Sequence, residues 1–360
     1  MLHELEERNQ KIINAVIEKA RRGCPDSLAL IGIYGSFMTG DVHEKSDLDL
    51  LILINDDNGW QLGCAFIQED LQVGHDIYCT SWESLEWDAD YEHPNISKLM
   101  DSKVVYCADE KYVERLEALR EKAREKRNSS FSKDDYEKGE KLLKEAEHFY
   151  VRAVLSQSLL EMRKYAGGVL YYIENAIAML NKKYFRFGTK RVYEELAQME
   201  KRPESLCEML EAVVMADTVE LLKIQLEALL RAVIGVFDEV KTELEVRQKA
   251  PATADSIRGT YEEMYSNWRN KMYVAAKENQ PHLAFASMCS LDAMLSEIRS
   301  GVEIGTYDVF KHYNSHDLAK TASGYDEVLK EYLKEYQKAG LEVKGYSDID
   351  AFVKDYLKGV

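Results

Sequence analysis

The six cysteines, Cys24, Cys64, Cys79, Cys107, Cys207 and Cys289, contain no C-x-x-C pair. Their scatter argues against a zinc ribbon or a disulfide frame and reads as reduced thiols in a cytosolic, cytoplasmic protein. Long apolar runs are missing too. The longest uncharged stretch, Ser27 to Gly40, has 14 residues, too few to span a bilayer, so no membrane partner is expected. The amino terminus, Met1 to Arg8, is acidic and amphipathic, unlike a signal peptide. Positive charge is in deficit: Lys plus Arg is 47 against 64 for Asp plus Glu, a net charge of −17. That excludes a nucleic-acid polymer as substrate unless a local basic channel exists, and no dense run of Lys and Arg with interleaved aromatics makes one. The cluster from Lys122 to Arg127 is short, mixed with acid, and reads as a solvated helix end. Trp is sparse, at 4, beside 22 Tyr. Neither an internal repeat nor a low-complexity tract is present.

What the chain does have is a dense signal between Tyr34 and Ile54. An apolar run, Leu28 to Tyr34, ends in Gly35-Ser36, and ten residues later Asp47-Leu48-Asp49 opens a second apolar run to Ile54. Alternation along an extended segment sends Asp47 and Asp49 to one face while Leu48 and Leu50 enter the core. Two carboxylates on one buried face repel each other and lose hydration, an expensive arrangement unless a hard cation sits between them. Mg²⁺ favours a few carboxylates together with phosphate oxygens and water. Gly35 lets the backbone approach a ligand, and Ser36 adds a hydroxyl for an anion. Together these residues describe a metal–triphosphate site. The plainer alternative, two acids marking a strand end and a glycine marking a turn, does not account for the spacing.

The length of 360 residues suits two or three domains with ample core. A first amphipathic helix over residues 2–22 precedes the strand at 28–34. A strand at 48–54, two at 64–68 and 73–80, a helix capped by Ser81, a short helix at 95–100 and a strand at 103–106 complete a small mixed-sheet α/β domain, residues 1–127. From there nearly everything is helical. Helices over 134–165, 169–181, 190–199, 203–214 and 218–246, with a break at Gly167-Gly168, predict a bundle over 131–247. A linker at 248–255 leads to a further mostly helical region, 255–360, irregular over 301–323. The overall class is α+β.

The Gly-Ser, ten-residue gap, Asp-x-Asp pattern resembles the DNA polymerase beta-type nucleotidyltransferase superfamily. That resemblance implies a third carboxylate on a neighbouring strand, for which Asp76 in Leu71 to Cys79 stands, with Glu69 and Asp70 as neighbouring alternatives; Asp47 and Asp49 would hold two Mg²⁺ ions and Asp76 the catalytic one. A small domain followed by a helical bundle is similar to the kanamycin nucleotidyltransferase group. There the bundle supplies a glutamate base just before a Tyr-Ala-Gly step. Here Tyr165-Ala166-Gly167 is present, but Lys164 stands where the glutamate would be and Gly168 where a lysine would be. Glu161, one turn before Lys164, and Glu174, at the edge of the next apolar stripe, are the candidate bases; for each the plain alternative is a solvated surface glutamate. Lys190 and Arg191, after Phe187-Gly188-Thr189, are candidate triphosphate contacts. The function expected is transfer of a nucleoside monophosphate, AMP from ATP, to a hydroxyl of a small molecule such as an aminoglycoside antibiotic, with pyrophosphate released. The alternatives are a protein-modifying (AMPylating) or antitoxin-type nucleotidyltransferase and a non-catalytic nucleotide-binding regulator. Relatives of the kanamycin type form homodimers that share the active site, so the resemblance implies a dimer.

Overall fold

The computed structural model describes residues 2–246 and 249–358. Among them the chain divides into two compact units, residues 1–242 and 243–360. The first unit therefore holds the expected α/β domain and nearly all of the expected bundle. Gln248, at the start of the expected linker, lies outside the described residues.

The first unit opens with α1 (Leu2–Gly23), β1 (Leu28–Ile33), the one-turn α2 (Ser36–Thr39) and β2 (Leu50–Ile54). A hairpin of β3 (Cys64–Gln68) and β4 (Val73–Ile77) follows, then β5 (Cys79–Ser81), α3 (Trp82–Ala89), α4 (Ser97–Met100), β6 (Lys103–Cys107) and α5 (Glu110–Asn128). The main sheet is mixed, in the order β5-β2-β1-β6, with β1 antiparallel to β2 and β6, and β2 parallel to β5. The hairpin forms a separate two-stranded sheet.

Alternation along β2 distributes its side chains between two layers. Leu50, Ile52 and Ile54 pack with Ile13, Val16 and Ala20 of α1. Leu51 and Leu53 pack with Leu85 of α3 and Leu116 of α5. Helices thus cover both faces of the sheet, and burial of these strand residues, at roughly 1.5–3 kcal/mol each, fixes the register. Asp47 and Asp49 fall four and two residues before Leu51, on the face turned to α3 and α5 but before its cover begins. Strand pairing starts only at Leu50, so both acids stand on an extended lead-in rather than in β2 itself. The alternation expected from the sequence holds: Leu48 and Leu50 are buried, Asp47 and Asp49 partly open.

The bundle comprises α6 (Lys133–Val154), α7 (Leu159–Leu180), α8 (Val192–Ala197), α9 (Leu206–Met215) and α10 (Val219–Val246). The expected break at Gly167-Gly168 is not there. The interruption falls at Leu155 to Ser158, where the Ser158 hydroxyl accepts a hydrogen bond from the Glu161 backbone N–H and starts α7. Helix α7 runs through both glycines because Gly168 lies against the ring of Phe149 on α6, and a Cβ there would overlap that ring. Close helix packing, not chain reversal, explains that glycine.

In the second unit α11 (Ala254–Ile257), α12 (Thr260–Met264), a π-turn (Tyr265–Arg269), α13 (Asn270–Glu278), α14 (Pro281–Gly301), α15 (Leu318–Lys338) and α16 (Ile349–Tyr356) follow. Tyr325, Tyr332 and Tyr336 are buried along one side of α15 and centre its core. The stretch expected to be irregular to residue 323 ends earlier, because Asp317 caps α15 through the Lys320 backbone N–H.

Candidate active site

Strand β1 delivers Tyr34-Gly35-Ser36 to the end of the sheet, and the Tyr34 N–H donates to the Asp49 carbonyl at 3.1 Å. This bond sets the two lead segments side by side. Gly35 has φ +66°, the left-handed side that disfavours a side chain, and a Cβ there would overlap the Asp49 carboxylate. The Ser36 backbone N–H donates to that carboxylate. The Ser36 Oγ is shielded from solvent and finds no protein partner, an orphaned donor and acceptor at the cleft wall. Such a group is uncommon in a folded protein and suits a ligand oxygen.

Gly35, Ser36, Asp47 and Asp49 line one cleft of about 480 Å³. Its opposite wall is the segment from Arg186 to Lys190, between α7 and α8. That segment is held from behind. The Glu195 carboxylate accepts the backbone N–H groups of Arg186 at 2.8 Å and Phe187 at 3.2 Å. Tyr184 donates to Asp101 at 3.1 Å, and the Phe185 N–H donates to the Pro94 carbonyl at 3.0 Å. Asn95 donates to the buried Asn175 of α7 at 2.9 Å, tying the loop before Ser97, another cleft residue, to the bundle.

The charges in the cleft are opposed. Burial, and then the neighbouring Asp47, raise the Asp49 carboxyl above the usual carboxylate range, while the Ser36 N–H and Lys190 pull it down. Lys45, Arg186 and Lys190 line the same space, the Lys45 ammonium donating to the Leu71 carbonyl at 3.2 Å. Arg186 also lies 3.4 Å from Asp101. Arg191 does not line this cleft. It pairs with Glu194 at 2.7 Å and Asp41 at 3.7 Å and stacks on Phe187, so it braces the wall from its flank.

Asp76 lies on β4 with its side chain exposed, opposite Ala65. It lines a second cleft, of about 370 Å³, and Asp47 lines both. Two residues on, Tyr78 faces the same way as Asp76, and its hydroxyl lies 3.2 Å from that of Tyr34, a residue of the first cleft. The hairpin therefore turns its Asp76 face toward the end of the sheet where Asp47 and Asp49 stand. Among the described residues, no group of three or more His, Cys, Asp or Glu side chains is drawn close enough to hold a metal ion. Two carboxylates are a sufficient protein contribution for Mg²⁺ when phosphates and water complete its shell. The raised Asp49 carboxyl and the orphaned Ser36 hydroxyl both fit such a cation with its phosphate.

Neither candidate base reaches the first cleft. Glu161 is exposed in the first turn of α7. Glu174, a further 13 residues along and thus about 20 Å up the helix, is pushed up to about 7 by burial and faces Tyr193 and Cys207. What sequence reasoning missed is Arg186, whose place in the cleft depends on Asp101 and Glu195, 85 residues before it and nine after. Arg8 was missed as well: it donates to the Ser46 carbonyl at 2.7 Å beside Asp47. No local pattern marks either arginine.

Residues 10–106 match the family model described as a nucleotidyltransferase domain. That span contains Gly35, Ser36, Asp47, Asp49 and Asp76. No curated protein matches the chain. Among solved structures the chain is similar to a nucleotidyltransferase-like protein from Exiguobacterium sibiricum 255-15, at 11% identity and a TM-score of 0.37, covering 81% of this chain and 89% of that one. No helix is long and apolar enough to cross a membrane among the described residues, and the six cysteines are free.

Proposed function

We propose that this chain moves a nucleoside monophosphate from a nucleoside triphosphate, ATP in the first instance, to a hydroxyl of a small molecule and releases pyrophosphate. The observation that carries this reading is the convergence of Gly35, the unpartnered Ser36 hydroxyl, Asp47 and Asp49 on one cleft whose far wall presents Arg186 and Lys190. A triphosphate is the ligand that uses both walls at once. Gly35 and Ser36 take its terminal phosphates, and the two cations neutralise their charge.

Asp47 and Asp49 would hold the divalent cations, two in the reading we favour; Asp76, the third carboxylate expected from the sequence, is not drawn into one group with them and lines the adjoining cleft. Mg²⁺ held there would supply charge neutralisation at the transferring phosphoryl group. The residues of the chain do the rest. Gly35 and Ser36 orient the donor, Arg186 and Lys190 stabilise the departing pyrophosphate, and Asp47, shared by both clefts, marks where donor and acceptor meet. Asp76 faces the acceptor side. The bundle contributes the cationic wall rather than a carboxylate base, which is how it departs from the kanamycin-type pattern.

The test is pyrophosphate release from ATP and Mg²⁺ by the full chain, with Asp47→Asn and Asp49→Asn as controls. Mass spectrometry of a lysate incubated with labelled ATP accompanies it. Release that both variants abolish, with label on metabolites, supports the reading. Label on protein favours the protein-modifying alternative. Tight Mg²⁺-dependent nucleotide binding without release favours the regulator.

A further inference from the structure

Helix α16 ends the second unit without joining its core. None of its residues is buried, and among the described residues the core centred on α15 takes up Leu341 but nothing beyond it. The ring contacts and polar bonds of α16 stay local. Phe352 packs against Tyr346 and Tyr356 with ring centres 5.4 and 5.2 Å apart. Asp355 accepts from the Tyr346 hydroxyl at 2.8 Å and pairs with Lys358 at 3.5 Å. Yet one side of the helix is apolar throughout. Ile349, Phe352, Val353 and Tyr356 recur at i, i+3, i+4 and i+7, the spacing that gathers apolar groups on a face meant for burial, and Leu357 extends it. Ile349 is 75% exposed, Tyr356 68% and Leu357 57%. With Phe352 and Val353 they leave on the order of 500 Å² open to water, at the upper end of what a monomer shows in one patch.

The charges beside this stripe favour one occupant. Asp350 and Lys354 lie one turn apart on the same flank, and among the described residues neither has an ion-pair partner. On the other flank the acids are engaged: Asp348 caps the helix through the Ala351 N–H at 2.8 Å, and Asp355 is held by Tyr346 and Lys358. Two copies of α16 laid antiparallel across a two-fold axis near Phe352 bring like flanks together, so that position 350 of each faces position 354 of the other. Asp350 then meets Lys354 twice. A parallel pair would set Asp350 against Asp350 and Lys354 against Lys354, which is repulsive. Joining two such faces removes about 1,000 Å² from water, the lower limit of a specific interface. A lipid surface fits less well, because three acids and two lysines between Asp348 and Lys358 give the helix no basic face for anionic headgroups.

We infer that the chain self-associates through an antiparallel pair of α16 helices, sealed by Ile349, Phe352, Val353 and Tyr356 and held in register by two Asp350–Lys354 pairs. The seam lies outside the transferase cleft, whose lining runs from Tyr34 to Lys190, and does not depend on that cleft's chemistry.

Sedimentation equilibrium of the full chain across the micromolar range tests this, and a reversible monomer–dimer equilibrium is expected. Ile349→Lys and Tyr356→Lys, both at open positions, should each weaken the dimer at least tenfold while leaving the melting temperature of the dilute monomer unchanged. Asp350→Lys and Lys354→Asp should each weaken it severalfold, since each sets like charges across the seam. An equimolar mixture of those two variants should restore association, because both cross-pairs then join opposite charges. A chain that stays monomeric, a dimer indifferent to Ile349→Lys and Tyr356→Lys, or a mixture no tighter than either charge variant alone would each overturn the inference. So would a dilute monomer that Ile349→Lys makes less stable, since the chain's own surface would then cover the face. Co-sedimentation with phosphatidylserine-containing vesicles that Ile349→Lys abolishes would also overturn it, in favour of a membrane.

Discussion

Gly35 and Asp49 share a space that only a glycine leaves free: a Cβ on residue 35 would overlap the Asp49 carboxylate. The acid that opens the second strand is thereby seated against the backbone that closes the first, and the Ser36 N–H binds it. Gly35→Ala should therefore damage the site twice. At φ +66° and ψ −146° Gly35 occupies backbone nearly closed to other residues, at a cost of about 1–3 kcal/mol for a non-glycine residue, and Asp49 must move. Thermal unfolding should report the first effect, and pyrophosphate release should fall at least tenfold. Full activity in a variant of lowered stability would separate Gly35 from the chemistry.

Asp49→Asn should stabilise the ligand-free protein while abolishing transfer. Burial and Asp47 raise the Asp49 carboxyl, so its ionised form is disfavoured in the fold. The associated stability is present at low pH and lost as pH rises through the raised value. Asparagine removes that loss, so its melting temperature should exceed that of the wild type at pH 7–8. Turnover should drop at least a hundredfold, about 2.7 kcal/mol in barrier. Added Mg²⁺ should raise the melting temperature of the wild type more than that of the variant.

Arg186→Ala and Lys190→Ala should each weaken ATP binding by roughly 1.5–3 kcal/mol, the worth of a hydrogen bond to a charged group. The deficit should shrink as salt is raised, because charge pairing across an open cleft is screened. Arg191→Ala, whose side chain braces Phe187 and pairs with Asp41 and Glu194, should affect ATP affinity less than either. Calorimetric titration at two ionic strengths distinguishes the three.

Glu174 gives a pH dependence located in the bundle. Burial raises its carboxyl to about 7 from an ordinary 4.5. A raised acid contributes stability that is complete below its unfolded value and is lost as pH rises through its folded one. Between pH 4.5 and 7 this group therefore erodes stability, and above 7 its ionised form remains a cost. Glu174→Gln should stabilise the protein at pH 8 by about 1–2 kcal/mol, less than the full shift implies because the side chain keeps some exposure. It should do little at pH 4.5. Equal effects at both pH values would show that its titration is not linked to folding.

Gly168→Ala should destabilise the bundle by about 1–3 kcal/mol through overpacking against Phe149. The double variant with Phe149→Leu should recover part of the loss, and chemical denaturation measures both.

The local pattern was enough to bring Gly35, Ser36, Asp47 and Asp49 together at one cleft, within the span that matches a nucleotidyltransferase domain. Burial alternates with a period of two along extended chain, and a turn glycine declares itself within a few residues. The same short-range logic read Gly167-Gly168 as a break, because a glycine pair looks alike whether it ends a helix or admits a ring from its neighbour. Tertiary packing alone decided which carboxylates and cations meet. It carried Glu161 and Glu174 away from the cleft on a continuous α7. It brought Arg186 in, on a loop held by Asp101 and Glu195, and it turned the Asp76 face of the hairpin toward Asp47. Those outcomes rest on contacts between residues from eight to more than eighty positions apart, whose energy resides in packing and burial and leaves no periodic trace in the chain.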